Sequence, residues 1–130
     1  DISMTLDIID DEVYMMADYN RLKQVFINII KNSIEAKMED QKLVISIKTE
    51  LLDNKIRIII SDNGIGMTSE ELEHLGEAFY TTKSHGTGIG VNLSRDIIER
   101  HKGTLKYSSL KYSGTDVIIE LPIDKELNLV

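Results

Sequence analysis

The chain of 130 residues has no cysteine, a single proline and no excess of basic residues. The absence of cysteine excludes disulfides and thiolate metal sites, and it suits a reducing compartment. The net charge of −7 leaves no basic field that could hold nucleic acid or an anionic membrane surface. No apolar stretch is long enough to span a bilayer, and the start at Asp1 lacks the basic region of a signal peptide, which predicts a cytoplasmic location.

The rest of the composition is that of a folded domain. Apolar residues make up 42% of the chain and charged residues 28%, which is ordinary for globular proteins and argues against disorder. One domain over residues 1–130 is expected at this length. Stretches with helical and strand periodicity alternate, which predicts an α+β fold. We expect a two-layer sandwich, with a mostly antiparallel mixed sheet and two or three helices on one face.

The first half of the chain predicts one long helix and one hairpin. Apolar residues recur at three- and four-residue steps from Leu22 to Ile34, and Asp18 is a suitable N-cap for this amphipathic helix. The segments LVISIKTE and KIRIIIS, separated by residues 51–54, predict two paired strands. The run Ile58 to Ile60 is apolar on both faces, so its strand is expected inside the sheet. Residues 4–16 predict two short strands joined by an acidic turn.

The second half predicts two helices and a second hairpin. Thr68 and Glu71 match a capping box, so a short helix is expected to follow. Helical spacing returns from Gly88 to His101, and Gly103 is placed to end that helix. The segments TLKYSSL and TDVIIELP predict the hairpin, and Pro122 closes its last strand.

The sequence Asp62-Asn63-Gly64 has two opposed interpretations. Asn-Gly is typical of a type I′ hairpin turn. A hairpin needs a second strand, however, and the residues that follow begin a helix. An EF-hand calcium loop is excluded, because further oxygen ligands and a glycine at the sixth position are missing. The interpretation that remains is an acid at the end of an interior strand, beside glycines that let another surface approach the backbone.

The segment GTGIG, residues 86–90, begins the later helix. It is either a flexible glycine-rich loop or a phosphate site, in which free N–H groups of the first helical turn point at an anion. It matches neither a Walker P-loop nor a Rossmann fingerprint, and the chain has no H-R-D kinase signature. The residues alone leave both interpretations open.

One face of the first helix carries Asn28, Lys31, Asn32 and Glu35, away from the apolar stripe. A solvated face is the plain interpretation, but asparagine is slightly unfavourable there compared with Lys, Glu or Ala. Amide oxygens suit Mg²⁺, and in so acidic a chain a divalent cation would help to hold a polyphosphate.

Taken in order, these segments resemble a known family. FINIIKNSIEA is similar to the N box, DNGIGM to the first glycine box, AFYTTK to the F box and GTGIGV to the second glycine box of the catalytic and ATP-binding domain of sensor histidine kinases. That family belongs with the gyrase, Hsp90 and MutL ATPases. HKGTLKYSS and GTDVIIELP resemble its closing segment. The resemblance covers essentially the whole chain and implies a Bergerat-type fold that binds ATP and Mg²⁺.

The resemblance also implies roles for individual residues. Asp62 would accept a hydrogen bond from the adenine amino group, and Asn32 would bind Mg²⁺. Residues 79–85 would form a lid, and the glycines of residues 86–90 would hold the phosphates. The implied catalytic residues are Asn28, Asn32 and Lys83. The implied nucleotide-binding residues are Asn28, Lys31, Asn32, Asp62, Gly64, Gly66, Thr82, Lys83, Gly86, Thr87, Gly88, Gly90 and Thr115.

Two departures from the family pattern bear on the reaction. Asn28 stands where the ATPase relatives have the glutamate that activates water, and an amide cannot take a proton. That difference favours phosphoryl transfer over hydrolysis. Glu35 stands where many histidine kinases have a basic residue, and this resembles the branch with an N-x-x-E-A motif and a TTK lid, as in nitrogen-regulatory and sporulation kinases.

The phosphoacceptor of this family is a histidine on a separate helical dimerisation domain, followed by an acid and then a proline. None of His74, His85 and His101 fits that motif, because the single proline is Pro122. The resemblance thus implies a fragment of a longer, homodimeric kinase that phosphorylates its own dimerisation domain and then a response regulator. Neither nucleic acid nor direct membrane contact is expected of these residues, and membrane attachment of the longer protein is left open.

Two alternatives stay open at this point. A stand-alone serine kinase of the anti-sigma type has a similar size, although it usually keeps the glutamate that Asn28 replaces. A module that senses ADP against ATP without transferring phosphate would need the same site, and the retention of Lys83 and the glycine box argues against it. An ordinary hydrolase ranks below both.

Overall fold

The computed structural model describes residues 1–75 and 90–124. These residues form five strands and three helices in one two-layer arrangement. In chain order the elements are β1 (Ile2–Asp7), α1 (Tyr19–Glu35), β2 (Leu43–Leu51), β3 (Lys55–Asp62), α2 (Ser69–His74), α3 (Gly90–Arg100), β4 (Thr104–Leu110) and β5 (Gly114–Pro122).

The strands form one sheet in the order β1-β2-β3-β5-β4. Strands β1 and β2 are parallel, and the other three pairs are antiparallel. The predicted α+β sandwich with a mostly antiparallel mixed sheet and helices on one face is therefore confirmed. Both predicted hairpins are present, and β3 lies inside the sheet between β2 and β5.

Helix α1 begins at the predicted N-cap, where the Asp18 side chain accepts a hydrogen bond from the Arg21 N–H. Its buried stripe runs in four-residue steps through Val25, Ile29 and Ser33. Ile34, which the periodicity assigned to the apolar stripe, is 44% exposed. The assignment was wrong because Ile34 points about 140° away from Ile29 on a helix that turns about 100° per residue.

Helix α2 has the predicted capping box, with Thr68 and Glu71 each accepting from the other's backbone N–H. Helix α3 ends beside Gly103, as expected, but the left-handed residue of that end is Lys102, at φ +63°. Gly103 has a different reason to be glycine, because a Cβ there would collide with the carbonyl oxygen of Glu120.

Residues 8–17 form no strand, so the predicted pair of strands before α1 is wrong in its second half. The Ile9 N–H donates to Thr49 Oγ1, and the carbonyl of Tyr14 accepts from the Asp124 N–H at 2.7 Å. The acidic residues therefore do not turn the chain back. They lie in a segment that passes the ends of β2 and β5 on its way to α1.

The core lies between the sheet and helices α1 and α3. It comprises Val25, Ile29, Leu43, Ile45, Ile60, Ile97, Ile98, Leu105, Val117, Ile119 and Leu121. No helix within the described ranges is long and apolar enough to cross a membrane.

Candidate functional site

Asp62 is the last residue of β3, and its carboxylate Oδ1 accepts a hydrogen bond from the Gly64 N–H at 2.9 Å. The chain does not turn back there as a hairpin, since it continues to α2. Asn63 fixes the position of the loop through two hydrogen bonds of its side chain. Its Oδ1 accepts from the Val44 N–H at 2.8 Å, and its Nδ2 donates to the Lys42 carbonyl at 3.0 Å. The interpretation of Asp62 as an acid held at a strand end is confirmed.

Asp62 belongs to a polar row that crosses three strands. In the antiparallel register, Asp62 of β3 is directly opposite Thr115 of β5, and Thr115 is directly opposite Ser109 of β4. Directly opposed side chains lie on the same face with their Cβ atoms about 5 Å apart. The residues two positions further along, Ile60 and Val117, belong to the core on the helix side, so the row faces the same side.

Ser109 holds this row to the loop that follows β3. Its Oγ accepts from the Met67 N–H at 2.8 Å, donates to the Gly114 carbonyl at 2.8 Å and lies 2.8 Å from Thr115 Oγ1. The tip of the β4–β5 hairpin is bound to the same loop, because the Tyr112 N–H donates to the Ile65 carbonyl. The hydrogen bonds from Met67 to Ser109 and from Tyr112 to Ile65 thus hold the loop after β3 against the β4–β5 hairpin.

Three glycines of the site are required by protein packing. A Cβ on Gly64 would lie 2.6 Å from the Ala36 carbonyl oxygen. Gly66 has φ +67° and Gly114 has φ +111°, and a Cβ on them would collide with the carbonyl oxygens of Leu110 and Asp62, respectively. These contacts let three backbone segments meet beside Asp62. The contact of Gly64 and Gly66 with a purine stays a prediction.

The end of α1 lies against the same loop. The Ala36 carbonyl accepts from the Ile65 N–H at 2.8 Å, and the Asn32 carbonyl, one turn earlier, accepts from the Ala36 N–H at 3.1 Å. Asn28 and Asn32 are partly buried at the border of the core stripe, whereas Lys31 is exposed. The fold therefore brings the asparagine face of α1 to the loop that begins at Asp62.

Helix α3 begins at Gly90, and a Cβ on that glycine would have no atom of a described residue outside the helix within 4 Å. The end of α3 lies at the start of α1, where the Asp18 N–H donates to His101 Nε2 at 3.0 Å. Helices α1 and α3 also pack against each other. Predicted site residues Thr82, Lys83, Gly86, Thr87 and Gly88 lie outside the described residues, as does the predicted lid.

An ion pair joins α2 to the β4–β5 turn. Lys111 Nζ is 3.3 Å from Glu71 Oε1, and both side chains are partly buried. The pKa of the Glu71 carboxyl is lowered, first by the hydrogen bond from the Thr68 backbone N–H and then by Lys111. The loop between Asp62 and α2 is thus held at both ends.

The resemblance predicted a role in nucleotide binding for Asp62 and Thr115, but no role was predicted for Ser109, Gly114 or Lys111. Gly114 could have been noticed, since a glycine directly before an alternating strand is a signal for a special backbone conformation. Ser109 could not, because its partners are set by the register of two hairpins and by a loop 42 residues away in the chain. The described residues contain no group of three His, Asp or Glu side chains that could hold a metal ion.

The comparison with known proteins agrees with this arrangement. The family described as histidine kinase-, DNA gyrase B- and HSP90-like ATPase matches residues 17–125. Sporulation kinase E of Bacillus subtilis is 44% identical over 94% of this chain, and sporulation kinase B of the same organism is 41% identical over 88%. The chain spans 16% and 27% of the length of these two relatives.

Solved structures show the same fold. The nucleotide-free catalytic domain of the histidine kinase ThkA matches with a TM-score of 0.80 and 33% identity, over 93% of this chain and 78% of that one. A mycobacterial sensor histidine kinase, MprB, matches in fold with a TM-score of 0.81 at 18% identity, over 94% of this chain and 84% of its own. The chain belongs to the histidine kinase-, DNA gyrase B- and HSP90-like ATPase family, as a catalytic domain of the sensor histidine kinase type.

Proposed function

We propose that this domain binds ATP with Mg²⁺ and transfers the γ-phosphoryl group to a histidine on a separate dimerisation domain of the same kinase. The proposal rests on the pairing of Asp62 with Thr115 at the end of the central strands. The loop after Asp62 is held beside this pair by close contacts of its glycines and by the Ser109 hydroxyl of β4. This arrangement gives a polar end to an otherwise apolar layer, as a base-binding pocket requires.

Asp62 is the residue we assign to the base. Its Oδ1 is used by the Gly64 N–H, and its Oδ2 makes no hydrogen bond to another described residue. An ionised carboxylate only accepts hydrogen bonds, so it suits the amino group of adenine and not the carbonyl of guanine. A hydrogen bond to a charged group is worth about 1.5–3 kcal/mol, which is enough to select between the two bases.

Asn32 and the start of α3 are the residues we assign to the polyphosphate end. The N–H groups of the first turn of α3 have no partner within the helix and lie at its positive dipole end, which suits an anion. A Cβ on Gly90 would contact no described residue outside the helix. Because the described residues hold no acidic metal cluster, Mg²⁺ would be bound chiefly by the phosphates and water, with the Asn32 amide as a protein ligand. When bound, Mg²⁺ neutralises charge on the phosphates.

The nucleophile of this reaction would come from the acceptor histidine. One of its ring nitrogens forms a bond to the γ-phosphorus while the bond to the β–γ bridging oxygen breaks, and ADP leaves. No water needs to be deprotonated, so the amide of Asn28 is adequate where a hydrolase needs a base. Lys83, Thr82 and residues 86–88 stay predicted contacts of the phosphates. The acceptor domain and a response regulator are proposed partners, since the chain spans 16% and 27% of two relatives.

The experiment that tests the base site is calorimetric titration of ATP with Mg²⁺ into the purified chain and into Asp62→Asn. Asparagine can still accept from the Gly64 N–H, but it presents an NH₂ group to the adenine amine. We expect binding to weaken at least about tenfold, or 1.4 kcal/mol. Asp116→Asn is the matched control, because Asp116 neighbours Thr115 in β5 but is exposed on the other face.

Two results would contradict the proposal. The first is the absence of saturable ATP binding by the wild-type chain. The second is equal weakening by Asp62→Asn and Asp116→Asn, which would indicate an effect of net charge and not a contact with the base. Phosphoryl transfer itself is measured on a longer protein that includes the acceptor domain, where acid-labile phosphohistidine is the expected product and acid-stable phosphoserine would favour the serine kinase alternative.

A further inference from the structure

Ser109 has no assigned role in nucleotide recognition, yet its hydroxyl contacts the Thr115 side chain and two backbone groups near it. Its hydroxyl lies 2.8 Å from each of three atoms: the Met67 nitrogen, the Gly114 carbonyl oxygen and Thr115 Oγ1. A hydroxyl has one hydrogen to donate and two lone pairs that accept. Three contacts therefore use its whole capacity, and the direction of each one can be worked out.

Two of the three directions are fixed by the chemistry of the partner. The Met67 N–H can only donate, and the Gly114 carbonyl can only accept. The single Ser109 hydrogen therefore points at Gly114, since pointing it elsewhere would leave two oxygen acceptors facing each other at 2.8 Å. The contact between Ser109 and Thr115 must then be filled by the Thr115 hydrogen, which is donated to Ser109 Oγ.

We infer that Ser109 is a positioning residue for base selectivity, which fixes the Thr115 hydroxyl as an acceptor toward the bound base. This inference rests on the proposed function. Thr115 is directly opposite Asp62, whose carboxylate also only accepts. The row therefore presents two neighbouring acceptors, which favour a base with an amino group at position 6 and oppose one with a carbonyl there.

The direction of the Thr115 hydrogen affects the discrimination between adenine and 6-oxopurine nucleotides. In the wild-type chain Thr115 has no hydrogen to offer to the carbonyl of a 6-oxopurine. Without Ser109 the Thr115 hydroxyl is free to rotate, and it can donate to that carbonyl. Loss of the serine hydroxyl should therefore narrow the gap between adenine and hypoxanthine nucleotides, beyond any general loosening of the loop at Met67.

The test is calorimetric titration of ATP and of ITP, each with Mg²⁺, into the wild-type chain and Ser109→Ala. The ratio of the ITP dissociation constant to the ATP dissociation constant is expected to fall about three- to tenfold, the range of one neutral hydrogen bond. Ser108→Ala is the matched control, because Ser108 is the exposed neighbour in β4, and its ratio should stay at the wild-type value. Ser109→Thr, which keeps the hydroxyl, should restore the ratio.

A merely structural role for Ser109 would weaken ATP and ITP equally, so an unchanged ratio in a variant that binds ATP overturns the inference and leaves the proposed function intact. The absence of ATP binding by the wild-type chain would instead overturn the proposed function. If Ser109→Ala does not fold, Thr115→Val and Thr115→Ser decide the matter. The ratio should fall in the valine variant, which has no hydroxyl, and stay in the serine variant, and equal ratios in the two would overturn the inference.

Discussion

Gly66 and Gly90 both lie in segments that resemble glycine boxes, yet their surroundings differ. Gly66 has φ +67° and faces the Leu110 carbonyl, so both its backbone conformation and its contacts exclude a side chain. Gly90 begins a helix, and a Cβ at that position would contact no described residue outside the helix. Packing thus explains the first glycine, whereas no contact with the described residues explains the second.

The variants Gly66→Ala and Gly90→Ala separate these two reasons. Gly66→Ala should lower the free energy of unfolding by at least about 2 kcal/mol, from the left-handed conformation and the collision with Leu110. Gly90→Ala should leave it unchanged or raise it slightly, because alanine is a better helix former. Urea denaturation without nucleotide measures both. Equal stability of the two variants would show that the loop accommodates a side chain at position 66.

Helices and strands whose structure depends on neighbouring residues in the sequence were predicted correctly. Helix α1 follows from its apolar period and from Asp18, because both act within a few residues of sequence. The segment 8–17 was predicted wrongly because its course is set by distant partners, Thr49 and Asp124. The polar row was predicted in part for the same reason. Asp62 can be recognised from the sequence, because it ends a predicted strand and a helix start follows. The contacts of Ser109 depend on the strand register, which the sequence alone does not show.

The junction of α1 and α3 offers a test of how two elements are held together. His101 Nδ1 lies 2.8 Å from the Ile97 carbonyl, which can only accept, so this nitrogen carries the hydrogen and Nε2 accepts from the Asp18 N–H. His101→Ala removes the hydrogen bond between the end of α3 and the N-cap of α1, and it should lower the free energy of unfolding by about 1 kcal/mol.

The control for this variant is Arg100→Ala, which removes the exposed ion pair with Asp96 on the same helix. That change should cost only a few tenths of a kcal/mol, because both side chains of the pair are largely in solvent. Thermal denaturation of the two variants at neutral pH compares them. An equal loss of stability would mean that the hydrogen bond of His101 contributes no more than this exposed ion pair.

For the whole molecule, ionisable groups set a pH range of stability. At the acid end, Lys55 and then Arg57 lower the pKa of Glu120 by hydrogen bonding, with Nζ and Nε at 2.9 and 2.8 Å from the carboxylate. A carboxylate with a lowered pKa contributes stability above its unfolded value, and that contribution is lost as the pH falls through the folded value. At the alkaline end, burial raises the pKa of Tyr107 to about 12.

The alkaline end gives the clearer prediction, because a raised pKa in the folded state means that folding favours the neutral phenol. The contribution of Tyr107 is complete below pH 10.0, the ordinary value, and is lost as the pH rises to about 12. The loss in the free energy of unfolding should reach about 2–3 kcal/mol, at 1.36 kcal/mol per pKa unit.

Tyr107→Phe keeps the buried ring without the ionisable group, so its free energy of unfolding should fall less between pH 10 and 12. Tyr112→Phe, at an exposed position in the β4–β5 turn, should follow the wild-type chain. Urea denaturation at fixed pH steps measures all three proteins, and parallel curves would show that Tyr107 ionises equally well in the folded and unfolded chain.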